Sequence, residues 1–133
     1  MNEKLISNWN SVVNSNHGND LVYVIGDFAM KIKKKKIEEI LARLNGTKIL
    51  IRGNHDGKAT VNTFGWYRVL DSLEYGQWSE LYNSGFTRFS MNHYPPSLNT
   101  LVDNTDTLFL HGHIHSSTPI KEKHLYDVGV DAN

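Results

Sequence analysis

Apolar positions recur along the chain in two rhythms, one helical and one strand-like. Leu5, Ile6, Trp9, Val12 and Val13 fall on one side of a helical wheel, so residues 2–14 predict an amphipathic helix that needs a surface to cover. Residues 14–20 (NSNHGND) have the composition of a loop. Residues 21–25 (LVYVI) are short, apolar and β-branched with little alternation, the pattern of a strand buried on both faces of a parallel sheet. A second helix is predicted over 30–44, with Ile32, Ile37, Ile40, Leu41 and Leu44 as its core stripe and Gly46 where a C-terminal cap belongs. Residues 48–52 (KILIR) form another buried strand, and strand–helix–strand in this order is a βαβ unit.

The second half is less regular. Trp66, Tyr67, Val69 and Leu70 suit a strand, and Leu73, Tyr75 and Trp78 suit packing against a core. Residues 86–91 (FTRFSM) alternate like a half-exposed strand, 107–110 (TLFL) repeat the short buried pattern, and 125–130 (LYDVGV) read as a last strand. No internal repeat or interdomain linker interrupts the chain, so residues 1–133 are expected to form one α/β domain.

Four of these strands end in polar clusters: Gly26-Asp27, Gly53-Asn54-His55-Asp56, Asn92-His93 and His111-Gly112-His113-Ile114-His115. Ligands of open α/β sheets sit just beyond the carboxyl ends of the strands, and neighbouring strands lie only ~4.8 Å apart. Side chains remote in sequence can therefore converge there.

Composition narrows the chemistry. The chain has no cysteine, which excludes disulfides, thiolate metal sites and cysteine nucleophiles, so any metal must be held by nitrogen and oxygen. Lys plus Arg and Asp plus Glu number 14 each, leaving no global field to draw the chain to nucleic acid or anionic lipid. Lys33 to Lys36, with Glu38 and Glu39 about one turn away, read as a solvated helix face. The N-terminal stretch lacks the pattern of a signal peptide and no apolar run reaches membrane-span length, so a cytoplasmic location is expected. His17 and His124 are expected at the surface, and Trp9 and Trp66 in packing roles.

Asp27, Asn54, His93, His113 and His115 offer carboxylate, amide oxygen and imidazole, a set suited to Mn, Fe, Zn or Mg. A carboxylate can bridge two cations. Two histidines one residue apart on a turn can each reach a different ion. This inventory points to a two-metal site, in which paired ions clamp a phosphoryl group and acidify a shared water.

Taken in order, GD, GNHD, a lone His and GHxH resemble the calcineurin-like metallophosphoesterases. The stretches VYVIGDFA, ILIRGNHD, NHYP, LHGHIH and VGVDAN resemble a small bacterial or phage branch of that family, and the likeness runs from about residue 21 onward. The resemblance implies a layered α/β/β/α sandwich with largely parallel central strands. It implies Asp27 as a bridging carboxylate, Asn54, His93 and His113 as the rest of one metal shell, and His115 as a ligand of the other. It further implies that His55 contacts the phosphate and protonates the leaving oxygen while Asp56 orients its ring, so that a metal-bound hydroxide hydrolyses a phosphomonoester or phosphodiester. The partner implied is a small or nucleotide-derived phosphoester, with manganese the expected cofactor and neither membrane nor nucleic acid indicated.

One departure matters. The family pattern opens with D-x-H at the end of a first strand, and no such motif precedes Gly26-Asp27 here. The expectation is a member lacking that first strand, with one well-held ion instead of two and weak hydrolysis, His17 or Asp20 being the substitute ligands nearest in sequence. The alternative is a catalytically impaired relative acting as a metal- or phosphate-binding module. A metallo-β-lactamase-like hydrolase fits less well, because that class places H-x-H-x-D-H early in the chain.

Overall fold

The computed structural model describes residues 3–13, 20–76, 85–115 and 122–129. Among these residues, four helices and seven strands follow in the order α1 (Glu3–Val12), β1 (Leu21–Ile25), α2 (Lys34–Leu41), β2 (Thr47–Ile51), α3 (Lys58–Val61), β3 (Arg68–Leu70), β4 (Ser72–Gly76), β5 (Arg88–Asn92), α4 (Leu98–Asp103), β6 (Thr107–His111) and β7 (Leu125–Asp127). Trp78 and the residues at 130–133 lie outside the described part, as does His17.

The strands form two sheets. One is parallel throughout, in the order β1-β2-β3, and the other runs β4-β5-β6-β7 with only the β4–β5 pair antiparallel. The expected βαβ unit is β1–α2–β2, with Leu21 paired to Thr47 and Ile25 to Ile51.

Three apolar clusters define the layers. Ile6 of α1 and Ile37, Ile40 and Leu41 of α2 bury together with Ala29 and Leu44 on the outside of the first sheet. Between the sheets, Ile51 meets Phe89 and Met91, flanked by Tyr23, Ile25, Leu70, Leu73, Leu108 and Leu110. Leu101 of α4 packs with Phe109 and Leu125 on the far side of the second sheet. Helix, sheet, sheet, helix is the layered α/β sandwich expected of the chain. Alternation explains the division of each strand: Phe89 and Met91 point inward from β5, while Ser90 and Asn92 point away.

Several local expectations are corrected. The second helix is shorter than the predicted 30–44, spanning Lys34–Leu41 and capped at Ala42. Gly46 is therefore not its cap; at φ +80° it turns the chain into β2, where Val13 packs closely. Lys48 Nζ donates to the carbonyls of Leu44 (2.7 Å) and Gly46 (2.9 Å), and burial lowers its pKa. β1 is not buried on both faces: Leu21 is exposed and the other four residues only half-buried, because β1 is an edge of its sheet and β2 takes the central place. His124 is buried, not superficial, and its Nε2 lies 3.2 Å from the Leu101 carbonyl. Trp9 and Trp66 pack as expected, their indole N–H groups donating to the carbonyls of Asn45 and Thr60. The lysine run forms the ion pairs Lys34–Glu38 (3.9 Å) and Lys36–Glu39 (3.1 Å) on an exposed face.

Candidate metal centre

The carboxyl ends of four strands meet where the two sheets adjoin. Asp27 follows β1, Asn54 follows β2, His93 follows β5 and His113 follows β6. His93 is buried, with Nδ1 3.2 Å from the carbonyl of Ile25. A carbonyl can only accept, so Nδ1 donates to it and Nε2 is the nitrogen left to face the site. Around Nε2 lie Asn54 Oδ1 at 2.9 Å, His113 Nδ1 at 3.2 Å and Asp27 Oδ2 at 3.3 Å; His113 Nδ1 is also 2.9 Å from Asn54 Oδ1.

This spacing suits one cation. Metal–ligand bonds of ~2.1 Å place neighbouring ligand atoms roughly 3.0–3.4 Å apart at octahedral or tetrahedral angles. Asp27, His93 and His113 can each offer a ligand atom, all within 4.8 Å of one another, and the Asn54 oxygen adds a neutral fourth. Anion, amide oxygen and imidazole nitrogens together suit a borderline divalent ion.

The backbone is bent to make this possible. Asp27 (φ 54°), His113 (φ 73°) and His115 (φ 47°) all occupy the left-handed region, where residues other than glycine are uncommon. Such strain clusters at functional sites, where the surrounding structure enforces it. Two glycines make room. A Cβ at Gly26 (φ 76°) would drive into the His93 ring, and one at Gly53 would collide with the Asp27 carboxylate. The glycines of the GD and GNHD clusters thus keep their loops close to the ligands.

Asp56 does not do what was expected of it. Its carboxylate is buried and accepts from the backbone N–H groups of Asp27 (2.8 Å), Phe28 (3.0 Å) and Gly53 (3.0 Å). Occupied by three donors, it ties the loop after β1 to the loop after β2 and does not orient the His55 ring. His55 is exposed, and its backbone N–H donates to Asp27 Oδ1 at 2.8 Å. Asp27 therefore has one oxygen held by the chain and the other, Oδ2, turned to the ligand cluster.

His115 is not brought into the three-residue ligand group. It lines, with Gly26, Asp27, His93, Gly112 and His113, a groove of about 380 Å³ that β1 borders. Asp20 is at the wrong end: it stands just before β1, where its carbonyl accepts from the N–H of Thr47 at the start of β2, and five residues at ~3.3 Å each separate it from the tip of β1. It cannot substitute as a ligand. His111 is buried, with Nδ1 2.9 Å from the Gly112 carbonyl, and serves the turn that presents His113. Sequence reasoning missed Tyr94, whose ring contacts both His93 and His113; its place directly after His93 was the available signal.

Comparison with known proteins agrees with this geometry. The family model described as calcineurin-like phosphoesterase matches residues 3–130. The chain belongs to the calcineurin-like phosphoesterases. A curated protein of Methanocaldococcus jannaschii, named only as uncharacterized, is 40% identical over 119 residues. That match covers 88% of this chain and 54% of the relative, so the chain spans about half the length of the relative. Among solved structures, a protein of unknown function from Aquifex aeolicus shares the fold at a TM-score of 0.66 and 19% identity, over 96% of this chain and 75% of that one. Members of the family hydrolyse phosphoesters with divalent metals, and Asp27, His93 and His113 of this chain form a group that could hold such an ion. None of the described helices is long and apolar enough to cross a membrane.

Proposed function

We propose that this protein hydrolyses phosphomonoesters or phosphodiesters, nucleotide-derived ones included, using a divalent ion held by Asp27, Asn54, His93 and His113. The observation that carries this is the convergence of Asn54 Oδ1, His113 Nδ1 and Asp27 Oδ2 on His93 Nε2, each within 2.9–3.3 Å of it, from loops of two different sheets. Manganese is the ion we favour, and iron, zinc or magnesium fit the same donors. A bound ion would neutralise charge on the phosphoryl group and acidify a water.

The chain's own residues supply the rest. Asp27 divides its carboxylate between the His55 N–H and the ligand cluster, which fixes His55 beside the centre. In this reading the exposed His55 imidazole binds a phosphoryl oxygen and gives a proton to the leaving alcohol or phenol. Asp56 holds the two loops together and keeps Asp27 and Asn54 in register. With one carboxylate among its four ligands, the cluster favours a single tightly held ion.

A second reading is favoured by the single carboxylate of the ligand group: a metal- or phosphate-binding module with little turnover. Manganese-dependent hydrolysis of bis-p-nitrophenyl phosphate and p-nitrophenyl phosphate separates the two. The hydrolase reading expects turnover that Asp27→Asn and His55→Ala each lower by at least tenfold. Equal inactivity of all three folded proteins would leave the binding module.

A further inference from the structure

Tyr94 stands against the two imidazoles that the proposed function assigns to the ion. Its ring centroid is 5.2 Å from that of His93 at an interplanar angle of 73°, and 4.7 Å from that of His113 at 61°. The two histidine rings are themselves 5.0 Å apart at 75°, so the three rings form a closed trio in edge-to-face contact.

The two histidines differ in how they are held. His93 is buried and its Nδ1 is engaged by the Ile25 carbonyl. His113 is exposed and sits on a left-handed turn. Exposure leaves its ring few neighbours to select one rotamer, and Nδ1 must point inward for it to meet Asn54 Oδ1. Tyr94 provides that wall. Its own backbone is fixed by the N–H bond to Asn92 Oδ1 (2.9 Å) and stiffened by Pro95 and Pro96. Aromatic quadrupoles favour this edge-to-face arrangement, and an imidazole made more electropositive by a cation gains further from a facing ring.

We propose that Tyr94 is a positioning residue, whose ring holds the His113 imidazole in its metal-ready orientation. The ring and not the hydroxyl carries the role. This rests on the reading of Asn54, His93 and His113 as metal ligands.

The test is manganese affinity, measured by calorimetry on the full chain and on Tyr94→Phe, Tyr94→Leu and Tyr94→Ala, with thermal unfolding of each metal-free protein. Tyr94→Phe should stay within about twofold of the parent. Tyr94→Ala and Tyr94→Leu should bind roughly tenfold more weakly, the drop expected when the metal-ready His113 rotamer falls to about a tenth of its parent population. The ring is half-exposed, so the metal-free midpoint of these variants should fall by no more than a few degrees, and Tyr67→Ala, an exposed aromatic at the far end of its strand, should bind like the parent. Parent-like affinity in Tyr94→Ala overturns the proposal. Parent-like affinity in Tyr94→Leu shows that bulk suffices and overturns the edge-to-face account. A Tyr94→Phe variant as weak as Tyr94→Ala moves the role to the hydroxyl and also overturns it. A parent chain with no saturable manganese binding fails differently, because it removes the metal reading beneath the proposal.

Discussion

Asp56 and His55 are neighbours in sequence with opposite burdens. The buried Asp56 carboxylate satisfies three backbone N–H groups from two loops, whereas the His55 ring is exposed beside the ligand cluster. Asp56→Ala should therefore destabilise the fold by the order of 3 kcal/mol, since it strands donors in a dry site. His55→Ala should leave stability within about 0.5 kcal/mol while depressing turnover. Urea denaturation of both variants beside the hydrolysis assay checks the split; equal loss of stability would refute it. Gly26→Ala should cost more than the ~1–2 kcal/mol of a left-handed alanine, because the added methyl also meets His93, and it should abolish manganese binding. Asp27, Asn54, His93 and His113 were legible as candidate ligands because each follows a run that can be read as a strand. The role of Asp56 was not, because its partners are backbone groups as far as 29 residues away, and backbone donors leave no mark in a sequence. Tyr94 was passed over for a related reason: it reads as part of a turn, and only the packing of two sheets brings His113 to it.

Elements were legible in proportion to their length and periodicity. β1, β2 and β6 have the short apolar pattern and were found within a residue of their ends. α3 and α4, with 4 and 6 residues, are too short for a helical period to emerge, although Ser97 accepting from the Thr100 N–H is a cap that the sequence could have offered. The burial of β1 was misjudged because apolar composition does not tell a central strand from an edge strand bordering a groove. Between elements, Asp106 joins the starts of β5 and β6. Its backbone carbonyl accepts from Thr87 and Arg88, and its carboxylate accepts from Arg88 (2.8 Å) and the Thr87 hydroxyl (2.6 Å). The Arg88 hydrogen bond and then the Thr87 hydroxyl lower its pKa from 3.8 to about 2. A carboxyl depressed on folding stabilises above its unfolded pKa and stops doing so as pH falls through the folded value. Asp106→Asn should thus melt below the parent at pH 6, and the gap should close between about pH 4 and about pH 2. Because the group is exposed, the gap should also shrink in high salt. Melting curves across that range decide the matter, and a gap independent of pH would contradict the assignment.

Across the whole molecule, the proposed ion would tie one sheet to the other. Asp27 and Asn54 extend from the parallel sheet, His93 and His113 from the mixed one, and the apolar layer between them stops short of these polar tips. An ion bound only by the folded chain stabilises it by mass action, about 2.7 kcal/mol at a hundredfold excess over Kd. Manganese should raise the melting temperature of the parent by several degrees and that of His113→Ala far less. The class of fold was readable from alternating strands and helices; the convergence of strand tips was expected from their polar endings, and the tips that meet come from two sheets, with His115 lining the groove beside them. The most direct measurement is anomalous diffraction at the manganese edge from crystals of the chain grown with the ion. The account predicts one strong peak roughly 2.0–2.3 Å from His93 Nε2, His113 Nδ1, Asn54 Oδ1 and Asp27 Oδ2. No peak among those four atoms, or an ion bound elsewhere in their place, would contradict it.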